Sequence, residues 1–237
     1  MTSLKMARLP SGEPEIFASI QGEGASAGRP STFVRLSLCN LACTWCDTRY
    51  TWDWEHYDQQ SEIVRVESAE VVARVTTLGV ENVVITGGEP LLQQNALSEP
   101  VESLVRAGHR VEFETNGTLE PQAVLAERVA QWNVSPKLAN SDNLLSRRLG
   151  DGPLRWFAGT EHAWFKFVID APTDLDEVEG LVRRYEVPRR RVILMPQGTS
   201  TTQLDERSAW LAEGCARRGY RFSTRLHILL WGDRRGR

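Results

Sequence analysis

Apolar and β-branched residues gather in short runs at positions 33–38, 83–86, 110–114, 132–135, 165–169 and 192–195. Runs this short, bounded by turn-forming residues, predict strands rather than buried helices. Between them the pattern changes to helical spacing at 68–78, 174–185 and 203–217. The first of these has Ser68 as its expected N-cap, Glu70 in its first turn and Gly79 at its end, the start and stop signals of a helix. Strand–helix alternation predicts a parallel sheet of repeating β/α units. About six such strands fall short of a closed eight-fold barrel, whose usual length is about 250 residues. The expected architecture is therefore α/β: an open, partial (β/α)6-type barrel with a mostly parallel sheet. No internal repeat or long linker divides the sequence, and residues 1–237 are expected to form one domain.

In such sheets ligands bind beyond the carboxyl ends of the strands, where the loops converge. The cysteine-rich segment SLCNLACTWCDT follows the first strand, GGEP follows NVVIT, TNG follows RVEFE, SPK follows WNV, and PQG follows VILM. Taken singly, TNG and PQG read as ordinary turn residues. Together with the cysteines, the five strand ends predict one site on one face.

Cys39, Cys43 and Cys46 form a Cys-x3-Cys-x2-Cys motif in a chain with four cysteines. Three thiolates suit a [4Fe–4S] cluster whose fourth iron has no protein ligand and can bind a small molecule. A structural zinc site needs four protein ligands, and only the distant Cys215 or an isolated histidine such as His56 is available to complete one. Cys215 reads as a buried apolar residue.

With 237 residues, 41% hydrophobic and 25% charged, the chain can bury a sizeable core. Its net charge of −3 gives no electrostatic footprint for nucleic acid, so direct nucleic-acid binding is not expected. Arg189-Arg190-Arg191 and Arg234-Arg235 are not interleaved with aromatics and read as solvated loop charge. No apolar run approaches the roughly 18 residues of a membrane span, and MTSLKMARLPSGEPE shows no signal-peptide hydrophobic region. Three clustered cysteines and one distant one make a poor disulfide framework, so a cytoplasmic, reducing location and no membrane association are expected.

The cysteine spacing followed by TGGEP resembles the radical S-adenosylmethionine (SAM) enzymes. More specifically, EIFASIQGEGASAGRPSTFVRLSLCNLACTWCDT, TGGEP, ETNGT, SPK, MPQG and the tail RLHILLWGDRRGR resemble the 7-carboxy-7-deazaguanine synthase family across most of the chain. The IQGEG segment before the cysteines and Asp47-Thr48 after them are the most particular features. The resemblance implies that the open iron chelates SAM and that the reduced cluster cleaves it to methionine and a 5′-deoxyadenosyl radical. That radical takes hydrogen from C6 of 6-carboxy-5,6,7,8-tetrahydropterin, and ring contraction with loss of ammonia gives 7-carboxy-7-deazaguanine, on the route to 7-deazapurines such as queuosine. Returning the hydrogen regenerates SAM, which is thus a reusable cofactor.

Carried over residue by residue, the resemblance implies that Cys39, Cys43 and Cys46 ligate the cluster and that the backbone at Trp45 and Asp47 touches SAM. Gly88 lets backbone approach SAM, since glycine has no Cβ. Glu89, Asn116, Ser135, Lys137 and Gln197 supply polar contacts to SAM, the alternative for Lys137 being a surface charge. The Ile20-Gln21-Gly22 loop, Arg35 and Thr86 are implied to bind substrate. Arg35, a charge inside an apolar strand, suits bidentate pairing with the pterin carboxylate, a structural salt bridge being the alternative. Glu23 is assigned either to pterin N–H groups or to a structural arginine. Thr48 stands where the family uses Mg²⁺, an oxygen-seeking ion that retains waters; alone it reads as a loop-capping residue. A flavodoxin-like or other electron donor and a homodimer are also implied.

Residues 139–162 and the aromatic-rich TWDWEHYDQQSEIVRV carry no transferable motif; Arg237 or its terminal carboxylate either reaches the pocket or belongs to a flexible terminus. Three other classes share parts of the pattern: a glycyl-radical activating enzyme, an electron-transfer iron–sulfur protein and a zinc-stabilised interaction module. None of them accounts for the IQGEG segment.

Overall fold

The fold, seen in a computed structural model describing residues 2–237, realises each of the six predicted strands. In chain order the strands are β1 (Ser3–Ala7), β2 (Ile16–Ile20), β3 (Pro30–Leu36), β4 (Ile63–Glu67), β5 (Asn82–Gly87), β6 (Arg110–Thr115), β7 (Gln131–Val134), β8 (Ala163–Ile169), β9 (Val192–Pro196) and β10 (Arg221–Phe222). The helices are α1 (Gln59–Glu62), α2 (Ser68–Leu78), α3 (Gln94–Arg106), α4 (Ala123–Arg128), α5 (Leu145–Arg148), α6 (Asp151–Gly159), α7 (Asp174–Arg184), α8 (Thr201–Arg218) and α9 (Leu226–Trp231). Strands β3, β5, β6, β7, β8 and β9 lie side by side and parallel, and β10 extends them in parallel beyond β9. This is the expected partial barrel.

Three antiparallel strands were not expected. Strands β1 and β2 both pair with β3, and β4 pairs with β1. Each is only five residues long, and β2 has no fully buried position, so neither alternation nor an apolar run announces it. Helix α3 was also missed, because Pro100 stands inside it. Proline leaves the carbonyl four residues back without its helical donor; that carbonyl, of Ala96, lies 3.5 Å from Ser68 Oγ.

Helix α2 has the expected bounds, and Gly79 ends it in the left-handed conformation at φ 67°. Its cap differs from expectation: Glu67 occupies the N-cap position, while Ser68 Oγ donates to the Thr2 carbonyl at 2.8 Å. Helix α8 begins earlier than its apolar spacing predicts because the Ser200 hydroxyl accepts from Gln203 N at 3.3 Å. Arg191 is not solvated loop charge. Its guanidinium is buried and donates to the carbonyls of Ala158, Thr160 and Ala163, tying β9 to the end of α6. Among the described residues no helix is long and apolar enough to cross a membrane.

Side chains alternate across a strand, and here the two faces differ in chemistry. Phe113, Trp132, Val134, Phe165 and Phe167 point to the helical layer and join one apolar core. Glu112, Glu114, Gln131, Asn133 and Lys166, at the intervening positions, point into the barrel. Below the site Glu112 accepts from Ser26 Oγ (2.7 Å), Gln131 Nε2 (3.1 Å) and Asn133 Nδ2 (3.1 Å) and pairs with Arg110. A polar network thus fills the barrel floor.

Trp132 anchors the apolar layer. It is wholly buried, with ring centroids 5.1 Å from Phe113 and 5.5 Å from Phe157. Trp132→Ala is expected to lower unfolding free energy by about 3–5 kcal/mol, as large-to-small changes at packed aromatic sites do; chemical denaturation of parent and variant measures it.

Candidate active site

The parallel strand ends surround a cavity of about 390 Å³. It is lined by every residue singled out above for the site except Glu89.

The cysteine loop leaves β3 through Leu38, a non-glycine residue at φ 78°. Leu38 N donates to Thr51 O (2.7 Å), and Leu38 O accepts from Glu89 N (2.8 Å), so the unusual conformation is held from both sides. Gly87 and Gly88 press directly against this segment. A Cβ at Gly87 would meet Leu36 O at 2.0 Å, and one at Gly88 would meet Leu38 O at 2.1 Å and Cys39 Cβ at 3.0 Å. The protein's own backbone, rather than a ligand, already demands glycine at both positions.

Cys39, Cys43 and Cys46 are free thiols facing the cavity. Burial pushes the Cys39 thiol up to about 12 and raises that of Cys43 as well. Cys43 Sγ accepts from Asn143 Nδ2 and Cys46 Sγ from Trp52 Nε1, each at 3.3 Å. The Thr48 hydroxyl lies 3.6 Å from Cys46 Sγ. Cys215 is buried on the inner face of α8, as expected. Among the described residues no three His, Cys, Asp or Glu side chains gather about one ion-sized point. A cubane requires instead one thiolate for each of three separate irons, and three free thiols on a loop that opens to the cavity fit that requirement.

Glu89 departs from expectation. It is fully buried, and its carboxylate accepts from Leu91 N (3.0 Å), Thr115 Oγ1 (2.9 Å) and Asn116 N (2.7 Å). Burial raises its pKa despite these bonds. Glu89 therefore ties the GGEP turn to the TNG turn from behind and does not line the cavity. Asn116 lines the cavity while donating to Asn40 Oδ1 at 2.8 Å, which holds the TNG turn to the cysteine loop.

On the opposite wall, Lys137 Nζ donates to Ser135 Oγ at 3.0 Å and stands 5.5 Å from the Trp45 ring centroid, so it is not a surface charge. The Trp45 indole N–H reaches Asn140 Oδ1 at 3.2 Å. Gln197 faces the cavity with its backbone N–H bonded to Ile169 O at 2.8 Å.

Arg35 makes the structural salt bridge offered as its alternative. Its Nε donates to the fully buried Glu15 at 2.8 Å, and Glu15 also accepts from Tyr50 Oη. Burial opposes the charge on Arg35, but Glu15 and Tyr50 outweigh it and hold the guanidinium protonated. Its Nε edge is thus committed, while the residue still lines the cavity and its Nη nitrogens have no hydrogen-bond acceptor among the described residues. Gln21 Nε2 and Thr86 Oγ1 converge on Glu114, donating to its two oxygens at 3.0 and 2.7 Å. Ile20 and Gly22 complete this wall, and a Cβ at Gly22 would meet His227 Nδ1 at 2.0 Å.

Glu23 has two cationic partners, Lys166 and Arg225, the latter through Nε at 2.9 Å. Burial alone would raise its pKa; Lys166, Arg225 and His227 together hold it well below the usual carboxylate range. Arg225 also pairs with Asp47, and its Nη1 donates to Gly198 O at 2.6 Å. Burial alone would raise the pKa of Asp47; Arg225 and Arg35 together hold it low.

Glu15, Glu114, Lys166, Arg225 and His227 were absent from the expected site. Lys166 carried a readable signal, a lone charge inside the apolar strand WFKFVI, the same signal that marked Arg35. Glu114 lay inside the ETNGT motif. Arg225 and His227 lay in the tail, which is ordered against the rest of the chain. Arg235 donates to Arg8 O (2.9 Å) and Glu62 (2.8 Å) and stacks on Tyr50, and Arg237 lines the cavity.

Residues 34–156 match the family model of the Radical SAM superfamily. A 7-carboxy-7-deazaguanine synthase of Pyrobaculum aerophilum is 40% identical, over 94% of this chain and 96% of that protein. A protein of the same name from Rhodopirellula baltica is 37% identical, over 94% of this chain and 87% of that one. The crystal structure of QueE from Escherichia coli superposes with a TM-score of 0.71 at 24% identity, covering 95% of each chain, and shows the shared fold. Radical SAM enzymes carry a [4Fe–4S] cluster and SAM, and the free thiols of Cys39, Cys43 and Cys46 at the cavity wall are suited to the former. The chain belongs to the radical SAM superfamily and, within it, to the 7-carboxy-7-deazaguanine synthase family.

Proposed function

We propose that this enzyme converts 6-carboxy-5,6,7,8-tetrahydropterin to 7-carboxy-7-deazaguanine with release of ammonia, in the cytoplasm, as a step toward 7-deazapurines such as queuosine. The observation that carries this reading is that the cysteine loop and the open end of Arg35 share one cavity. A cofactor bound at the thiols and an anionic small molecule bound at Arg35 would therefore meet.

Cys39, Cys43 and Cys46 each ligate one iron. When bound, the cluster and SAM supply a 5′-deoxyadenosyl radical. The chain's task is to hold that chemistry in register with the substrate and to keep water out. Gly88 and the backbone at Trp45 and Asp47 form the close-approach surface for SAM. Ser135, Lys137, Asn116 and Gln197 present polar atoms to it, and Lys137 suits the SAM carboxylate.

Arg35 receives the pterin carboxylate on its uncommitted Nη nitrogens, and Glu15 fixes the guanidinium so that little rotamer entropy is lost on binding. The second Nε2 hydrogen of Gln21 offers a donor, and the Thr86 and Glu114 oxygens offer acceptors, to the amide-like edge of a pterin, with Ile20 and Gly22 shaping the wall. Glu23 serves the structural arginine, Arg225, rather than the substrate. The Thr48 hydroxyl would be the protein's oxygen donor to a Mg²⁺ ion, a hard cation that favours oxygen and retains waters. A flavodoxin-like protein or another one-electron donor reduces the cluster, and the enzyme works as a homodimer.

Reconstituted, reduced protein incubated anaerobically with SAM, Mg²⁺ and the pterin is expected to form 7-carboxy-7-deazaguanine, read by mass spectrometry. Cleavage of SAM without pterin turnover would refute the proposed substrate. Replacing any one of Cys39, Cys43 or Cys46 by Ala should abolish 5′-deoxyadenosine formation, whereas Cys215→Ala should preserve it. A fully active Cys43→Ala enzyme would exclude the cluster assignment. Arg35→Ala should retain iron content while impairing pterin turnover at least tenfold, the loss expected for a charge-assisted contact of about 1.5–3 kcal/mol. Unchanged kcat/KM for the pterin would remove Arg35 from the substrate site.

A further inference from the structure

Two of the three cysteine sulfurs of the loop meet a side-chain N–H donor. The donors to Cys43 and Cys46 are side chains from outside the motif, Asn143 and Trp52, each 3.3 Å from sulfur.

Neither donor can be reversed. An indole has only N–H to offer. The Asn143 amide is oriented by its other end, because Oδ1 accepts from Ala42 N at 2.9 Å. Flipping it would set an NH2 group against that N–H. Nδ2 is therefore turned toward Cys43 Sγ and the Ser141 oxygens.

Both donors are held by a second layer of contacts. Ser141 O accepts from Thr44 N at 3.2 Å, and Arg147 Nη2 donates to Asn40 O at 2.9 Å, so the 140–147 segment is fastened along the cysteine loop. The Trp52 ring packs against Arg49, whose guanidinium lies 5.9 Å from its centroid and is pinned by the buried Asp53. Asp53 in turn meets His56 at 3.0 Å.

One-electron reduction takes the cluster from [4Fe–4S]²⁺ to [4Fe–4S]⁺, with no ligand bond broken and no proton moved. The added electron increases negative charge on the sulfurs, so an N–H donor favours the reduced form and raises the potential. We infer that Asn143 and Trp52 are positioning residues that set the reduction potential of the cluster through N–H···S bonds to Cys43 and Cys46, making it easier to load with an electron. The inference rests on the radical SAM assignment and assigns a role to part of the 139–162 stretch.

The test is an EPR-monitored redox titration with dithionite on the reconstituted full chain, without SAM or pterin, alongside iron and sulfide analysis. Trp52→Phe keeps a ring beside Arg49 but removes the N–H, and Asn143→Leu removes the amide without adding charge. Each is expected to lower the equilibrium constant for reduction by about three- to tenfold, a tenfold change corresponding to about 59 mV for a one-electron couple. The double variant should show the product of the two, since different sulfurs are involved. Fully loaded variants that titrate at the parent potential would overturn the inference. Failure of Asn143→Leu alone to load a cluster would overturn Asn143's role and make it a loop brace; Trp52→Phe, which breaks no backbone bond, then decides for Trp52. Failure of the parent to assemble a [4Fe–4S] cluster would instead sink the assignment beneath both.

Discussion

The site depends on two backbones that touch. The Gly87-Gly88 turn lies so close to the Leu36–Cys39 segment that a methyl group at either glycine would fall about 2 Å from a carbonyl oxygen. Leu38 N and O are both used to hold the approach, one by Thr51 and the other by Glu89. This contact fixes where the first cysteine enters the cavity, and Cys43 and Cys46 follow on the same loop. Glu89 extends the constraint to the next strand end by accepting from Asn116 N, and Asn116 returns it to the cysteine loop through Asn40. Three consecutive strand ends are thereby fixed relative to one another without any ligand.

The charges around the cavity follow a second rule. Buried ions are costly unless each is paired and hydrogen-bonded, and the chain satisfies this in linked sets: Arg35 with Glu15 and Tyr50, and Lys166 with Glu23, Arg225 and Asp47. The partners come from segments far apart in sequence, so closing these sets draws β2, the cysteine loop, β8 and the C-terminal tail together. The polar barrel floor around Glu112 serves the same end, since it gives the inward-facing positions partners where the ligands do not reach. What remains uncommitted, chiefly the outer nitrogens of Arg35 and the side chain of Gln197, faces the cavity.

Two segments without readable motifs acquire roles through this packing. The 140–147 segment lies along the cysteine loop and presents an amide to one of its sulfurs. The aromatic-rich stretch after the cysteines supplies the indole that meets Cys46, and Tyr50 just before it is the ring on which the C-terminal Arg235 stacks. Neither could be found by composition, because an Asn or Trp in a loop has many ordinary uses and only its distance to sulfur or to a partner ring distinguishes this one.

The sequence by itself determined six of the seven parallel strands (all but the two-residue β10), the helices α2, α7 and α8 to within a few residues, and the set of turns that carry the chemistry. It could do so because strand and helix periods and glycine-rich turns are local signals. The cysteine spacing and the IQGEG segment likewise identified the family, since both are written within a few consecutive residues. Tertiary structure alone decided the rest. It paired β1, β2 and β4 around β3, turned Glu89 away from the cavity into a brace, committed one edge of Arg35 to Glu15, and brought Glu114, Lys166, Arg225 and His227 into the wall. Each of these side-chain roles is settled by a partner on another element, 20 residues away for Arg35 and 202 for Arg225, and burial makes that partner the determining term, because a charged or polar side chain takes its role from whatever satisfies it.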